Sequence, residues 1–185
     1  MLTYRISVAG LERDLPICPL NDKLSIAGFV IFGDVELTHC CAAELNKIIP
    51  DHDIMITAES KGIPLTYEMA RLQGRNDYVL ARKAPKLYMV DPICVNVKSI
   101  TTDHVQKLYL DKFDVENLKG KRVLLVDDVI STGESINGLE VLVNKVGGIV
   151  VGKAAILAEG DAANMPGLTY LAKLPLFTPD GKPLD

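Results

Sequence analysis

Hydrophobic and polar positions follow two rhythms along this chain. Short apolar runs at 53–57, 78–81, 123–126 and 149–157 have the length and continuity of strands buried on both faces, as in a parallel sheet. Between them lie stretches with apolar residues every three or four positions. One runs over 35–49, with Asp34 placed to cap it and Pro50 to end it. A second covers 63–72 and stops near Gly74. A third covers 132–146 through Ile136, Leu139, Leu142, Val143 and Val146, and Gly147-Gly148 closes it. The segments 93–98 and 105–110 alternate like a two-stranded ribbon. Extended segments are expected at 5–8, 15–18 and 24–32, and a final strand and tail at 171–177. The pattern is a βαβαβ core, an α/β fold with a mostly parallel central sheet flanked by helices. Right-handed crossovers put the ends of strands 53–57, 78–82 and 123–128 on one edge of that sheet.

That edge gathers the candidate chemistry. After the run Val123–Val126 come two acids, Asp127 and Asp128, and then Ser131-Thr132-Gly133-Glu134-Ser135 at the start of a helix. Ligands of open α/β sheets sit at the carboxyl ends of strands. A loop of small residues at a helix N-terminus offers backbone N–H groups and the positive dipole end to a phosphate. Paired carboxylates beside it can accept hydrogen bonds from sugar hydroxyls or hold a hydrated Mg²⁺. The pattern therefore reads as a site for a phosphorylated sugar. The bland alternative is a buried strand, a solvated acidic turn and a capped helix. A Walker A loop is excluded, because no Lys follows the last Gly.

Two further turns belong to the same edge. In Glu59-Ser60-Lys61-Gly62, the Gly lets backbone approach a ligand and N–H groups form an anion nest. Arg82, Lys83 and Lys86 place three cations in five residues, suited to a pyrophosphate or to keeping an ordinary loop solvated.

The segment 123–135 resembles the phosphoribosyl pyrophosphate (PRPP) signature of type I phosphoribosyltransferases over all thirteen positions: hydrophobic strand, two acids, two apolar residues, then a small-Thr-Gly-x-Ser loop. The resemblance covers most of residues 50–160. It implies the fold of that family, in a single domain over 1–185: a hood segment at 1–33, a core at 50–160, and an antiparallel flexible loop and ribbon at 82–107. It implies that Asp127 and Asp128 hold the ribose hydroxyls, and Mg²⁺ through ribose or water. It gives the 5′-phosphate to Ser131, Thr132, Gly133, Glu134 and Ser135. It places Glu59, Ser60, Lys61 and Gly62 in the pyrophosphate loop, where Lys61 stands in place of the Arg common in adenine-specific members. Arg82, Lys83 and Lys86 fall at the start of the catalytic loop, with Asp128 and Lys86 as the catalytic candidates.

The branch of adenine and xanthine enzymes and the purine operon repressor matches best. Glu159 falls on an acidic position near the base shared by that branch. Gly160 stands where xanthine enzymes carry a Lys, which counts against xanthine. The stretch Val97-Lys-Ser-Ile-Thr-Thr resembles loops of the xanthine enzymes and the repressor, and the Glu-Tyr element of standard adenine enzymes is missing. Glu134 replaces a Gly of many adenine enzymes, which is compatible with a phosphate only if its side chain points away. Leu20, Ile26, Phe29 and Ile31 of the hood are either core or walls of a base pocket. The implied reaction joins a purine base, adenine by preference, to PRPP and yields a nucleoside monophosphate and pyrophosphate. A non-catalytic PRPP or nucleotide sensor and a xanthine-type enzyme are the alternatives. A homodimer is expected by resemblance.

Composition narrows the classes further. With 185 residues, 48% hydrophobic and 24% charged, the chain is globular and long enough for one sizeable core. A net charge of −4 argues against a nucleic-acid binder held by bulk electrostatics, and the length leaves no space for a repressor's winged-helix domain. No run approaches the roughly 18 apolar residues of a membrane span, and the first residues lack a signal-peptide core. Four Cys without a C-x-x-C pair and three His disfavour zinc or a disulfide scaffold, and point to reduced thiols in the cytoplasm.

Overall fold

The computed structural model describes residues 2–98 and 105–184. Its centre is a five-stranded sheet built from β4 (Ile54–Ala58), β5 (Val79–Ala81), β8 (Arg122–Ile130), β9 (Ile149–Glu159) and β10 (Leu168–Leu174). The order is β10-β9-β8-β4-β5, and every neighbouring pair is parallel. Arg122 at the start of β8 anchors that register by donating to Asp53 and Asp51, at 2.8 and 2.7 Å, just before β4.

Alternation along β8 sends successive side chains to two separate cores. Leu124 and Val126 face one, together with α1 (Val35–Leu45) and α2 (Gly62–Leu72). Val123 and Leu125 face the other, which holds α4 (Glu134–Lys145), Leu118 of α3 (Lys112–Leu118), and Val95, Leu108 and Leu110 of the β6–β7 ribbon (Ile93–Lys98, Val105–Leu110). The α4 stripe of Ile136, Leu139, Leu142 and Val143 is buried as its spacing requires.

A second five-stranded sheet lies over the first core, in the order β1 (Thr3–Val8), β2 (Leu11–Pro19), β3 (Ser25–Ala27), β11 (Leu176–Phe177), β12 (Pro183–Leu184). Both ends of the described chain thus contribute to one hood. Phe29 and Ile31, open between core and pocket wall, are 5% and 0% exposed and belong to the first core, whereas Leu20 is exposed.

Several boundaries differ from the sequence expectation. The strand expected at 123–126 continues to Ile130 because β9 pairs with it through Ala158, so both acids lie within the sheet. The helix expected from 132 begins at Glu134, since Gly133 adopts φ 80°, a left-handed conformation no helical residue has. The helix expected to 49 ends at Leu45, and the strand expected at 24–32 shortens to Ser25–Ala27. The final strand is two strands, β10 and β11, separated by Pro175, which has no N–H to offer a ladder. Helix α3 was not anticipated. The ribbon strands fall where expected, while positions 99–104 of the proposed loop lie outside the described residues.

Candidate functional site

Parallel pairing brings the carboxyl ends of β4, β5 and β8 to one edge, so three loops meet there. At the carboxyl end of β8, residues 127 and 129–136 enclose a hollow of about 160 Å³ lined by Asp127, Ser131, Thr132, Gly133, Glu134 and Ser135. It opens at the N-terminus of α4, where first-turn N–H groups have no helical carbonyl to meet. The Thr132 hydroxyl faces the Glu134 N–H at 3.4 Å. A side chain at Gly133 would meet the Met165 methyl at 2.6 Å in addition to the strain of its positive φ. Larger concavities exist, such as a groove of about 450 Å³ over Ile31, Val35, Pro64 and Tyr67, but it lacks the adjacent acid pair and hydroxyl loop.

The two acids face different neighbours. Asp127 lines the hollow, and its Oδ1 accepts the Asp128 N–H at 2.9 Å. Burial, and then the charge of Asp128, push the Asp127 carboxyl up to about 7. Asp128 is 2% exposed, and its Oδ2 lies 2.9 Å from the Lys61 ammonium. That approach is close but off the hydrogen-bond direction, so charge rather than an aligned hydrogen bond holds the pair.

The turn after β4 is pressed onto the acid pair. A Cβ on Gly62 would sit 2.2 Å from the Thr57 hydroxyl and 3.3 Å from both Cα and Oδ1 of Asp127. Only glycine permits this approach, which is what aims the turn's Lys61 at Asp128. The Glu59–Ser60 peptide is cis.

Glu59 organises the cations from the loop after β5. Its Oε1 lies 3.0 Å from Arg82 and 3.8 Å from Lys86, and its Oε2 accepts the Lys83 N–H at 2.8 Å. Arg82 also donates to the Tyr88 hydroxyl at 2.6 Å, and its guanidinium lies 5.9 Å from the Tyr88 ring centre. The structure thus gathers Glu59, Arg82, Lys83 and Lys86 into one cluster, and Lys61 and Gly62 against the two acids. A carboxylate that would repel a diphosphate by itself here spaces two cations. Glu159 ends β9 at 8% exposure, paired with Leu174, and is not among the residues lining the hollow. Sequence reading missed Thr57, a hydroxyl interrupting an apolar strand, and Tyr88, whose ring and hydroxyl gave no pattern. Thr57 was the findable one, since its buried hydroxyl sits beneath the Gly62 turn without a hydrogen-bond partner among the described residues.

Such an edge can hold an anion at α4, hydroxyls at the acids and a second anion at the cations. Fold and site together define an α/β domain whose strand ends bring an acid pair, a hydroxyl-lined loop and a cation cluster to one sheet edge. The phosphoribosyl transferase domain model matches residues 42–167, and the chain belongs to the type I phosphoribosyltransferase family. A probable purine biosynthesis transcriptional regulator PurR of Streptococcus pneumoniae is 26% identical over 169 residues, covering 88% of this chain and 60% of the regulator. This chain therefore spans about 60% of that relative's length. Adenine phosphoribosyltransferase of Desulforamulus reducens is 32% identical over 130 residues, covering 65% of this chain and 70% of the enzyme. The solved adenine phosphoribosyltransferase of Saccharomyces cerevisiae, complexed with an imino-altritol bisphosphate and adenine, superposes with a TM-score of 0.67 at 20% identity, covering 85% of this chain and 92% of that one. At that identity the likeness establishes the shared fold.

Proposed function

We propose that this chain transfers the phosphoribosyl group of PRPP to a purine base, adenine before the others, releasing pyrophosphate. The observation that carries the reading is the convergence on one sheet edge of the acid pair, the hydroxyl-lined hollow at α4 and the Glu59-centred cations. In this reading the bond from C1 of the ribose to a pyrophosphate oxygen breaks, a bond from C1 to a purine nitrogen forms, and the proton that nitrogen carried leaves to the departing pyrophosphate or to water. Ser131, Thr132, Gly133 and Ser135 hold the 5′-phosphate with the N–H groups that open α4. Asp127 and Asp128 accept hydrogen bonds from the ribose hydroxyls and keep the ring still while C1 moves. Lys86 and Arg82, with N–H groups near Gly62, meet the charge growing on the departing pyrophosphate. Glu159 stands near the base. Adenine is favoured because Gly160 offers no cation for a 2-oxo group, and because adenine phosphoribosyltransferases are among the relatives.

Mg²⁺ belongs to this reading. Among the described residues, no three His, Cys, Asp or Glu side chains converge on one point. Asp127 and Asp128 would hold such an ion through ribose hydroxyls or water, and its other oxygens would come from diphosphate and water. When bound, it neutralises diphosphate charge. A homodimer and a cytoplasmic setting complete the proposal; no helix among the described residues is long and apolar enough to cross a membrane.

A second reading has its own support. The regulator's match extends over 88% of this chain, which supports a PRPP or nucleotide sensor as the alternative. Pyrophosphate release from PRPP and Mg²⁺, with adenine, hypoxanthine, guanine and xanthine offered separately, decides between them. Turnover with adenine, lost in Asp128→Asn with the fold intact, is the expected result. PRPP binding without turnover on any base establishes the sensor, and turnover with xanthine alone replaces adenine.

A further inference from the structure

The contact between Lys61 and Asp128 places a cation from the pyrophosphate turn on the carboxylate assigned to the ribose. Asp128 is 2% exposed, and its Oδ2 meets no aligned hydrogen-bond donor among the described residues. The Lys61 ammonium, 2.9 Å away, is the charge that answers it. The Lys61 side chain is 43% exposed, so its head reaches inward from a stem in solvent and can leave without disturbing the core. The turn below it already lies so close to Thr57 and Asp127 that Gly62 has no space for a side chain, and the Lys61 stem can swing without the turn moving. The geometry therefore allows the ammonium to exchange partners while the backbone stays in place.

We propose that Lys61 is a selector for diphosphate-bearing ligands. Resting on the phosphoribosyl reading above, the proposal makes Lys61 an internal competitor for Asp128. A ribose 5-phosphate brings hydroxyls to Asp128 but gives Lys61 no new partner, so its hydroxyls must displace an ammonium that has nowhere better to go. A ligand that carries a diphosphate on C1 brings that partner. Lys61 moves to the diphosphate, and Asp128 is released to the ribose hydroxyls. The two halves of the ligand then favour each other's binding, because the shared cation can satisfy only one site at a time. A charged contact without hydrogen-bond alignment suits such an exchange, since little directional bonding is lost when it breaks.

The test is equilibrium binding, by calorimetry at fixed Mg²⁺, of ribose 5-phosphate, adenosine 5′-monophosphate, pyrophosphate and PRPP to wild type, Lys61→Ala, Lys61→Gln and Lys61→Arg. Thermal melts establish that each variant is folded, and Lys61→Gln stands in should Lys61→Ala fail to fold. The neutral variants are expected to bind the two monophosphates about tenfold tighter than wild type and PRPP more weakly, so that the preference for PRPP collapses. Lys61→Arg, which retains a cation, is expected to keep most of that preference. A Lys that serves only as one more diphosphate ligand predicts weaker PRPP and pyrophosphate binding with the monophosphates unchanged, and that result overturns the proposal. A wild-type chain that binds none of the four ligands removes the phosphoribosyl reading itself, a failure visible before any variant is compared.

Discussion

At the scale of single residues, Asp127 has the most measurable character. Burial and the adjacent charge of Asp128 raise its carboxyl from 3.8 to about 7. Between those values the folded chain holds a proton that the unfolded chain has released. Stability from this group is therefore present at low pH and falls as pH rises toward 7. Asp53 and Glu68, both held near 2 chiefly by hydrogen bonds from Arg122 and Arg71, act in the opposite sense and lose their contribution only as pH falls below the ordinary carboxylate range. Burial raises the Asp114 carboxyl as well, but that group is common to wild type and variant, so comparing the two between about pH 5 and 8 isolates Asp127. Asp127→Asn is expected to stabilise the Mg²⁺-free protein at pH 8 by on the order of 1–3 kcal/mol, and by much less at pH 5. Urea titrations at both values check this; an equal effect at the two pH values would contradict the assigned environment.

At the scale of elements, local signals and distant ones separate cleanly. Asp34 was readable as the cap of α1 because a cap is chemistry between near neighbours. Its Oδ1 accepts the Leu37 N–H at 3.0 Å. What the sequence did not disclose is that Arg13 of β2 grips the same carboxylate at 2.6 Å, tying the hood to the helix. Asp34→Ala removes both and is expected to cost about 1–2 kcal/mol, while Asp34→Ser keeps the cap and costs less; chemical denaturation distinguishes the two. The same division governs the site. The acid pair, the 131–135 loop and the Gly62 turn were legible because each is a contiguous motif at a strand end. The Lys61–Asp128 contact and the clustering of cations on Glu59 were not, since they join segments far apart in sequence through sheet order. Helix α3 went unseen although Asp111 caps it, accepting the Phe113 N–H at 3.0 Å, because seven residues hold too few turns for a period to emerge. The sheet extends β8 past two charged residues that strand propensity alone would have excluded.

At the scale of the molecule, the hood and the parallel sheet share one core rather than meeting as two bodies. Ile6, Val8, Leu15 and Phe29 of the hood pack in the same cluster as Leu124, Val126 and Leu157 of the central strands. Phe177 sits at that seam. It is fully buried, its backbone pairs with Ser25, and its ring meets Tyr4 edge-on at 5.0 Å between centroids and 63° between planes. It therefore joins a strand late in the chain to strands near its beginning, above the sheet whose edge carries the candidate site. Truncating it opens a cavity at the junction of both sheets, and Phe177→Ala is expected to cost about 3–5 kcal/mol. A shared core also makes a statement about cooperativity, because the hood cannot lose its packing while the central sheet keeps its own intact. With Tyr67, Tyr78, Tyr88, Tyr109 and Tyr170 replaced by Phe so that Tyr4 alone reports from beside the substituted position, unfolding of the variant followed by far-ultraviolet circular dichroism and by tyrosine fluorescence should give coincident transitions, both shifted to lower denaturant. A tyrosine transition that moves alone would mean that the hood unfolds as a separate unit.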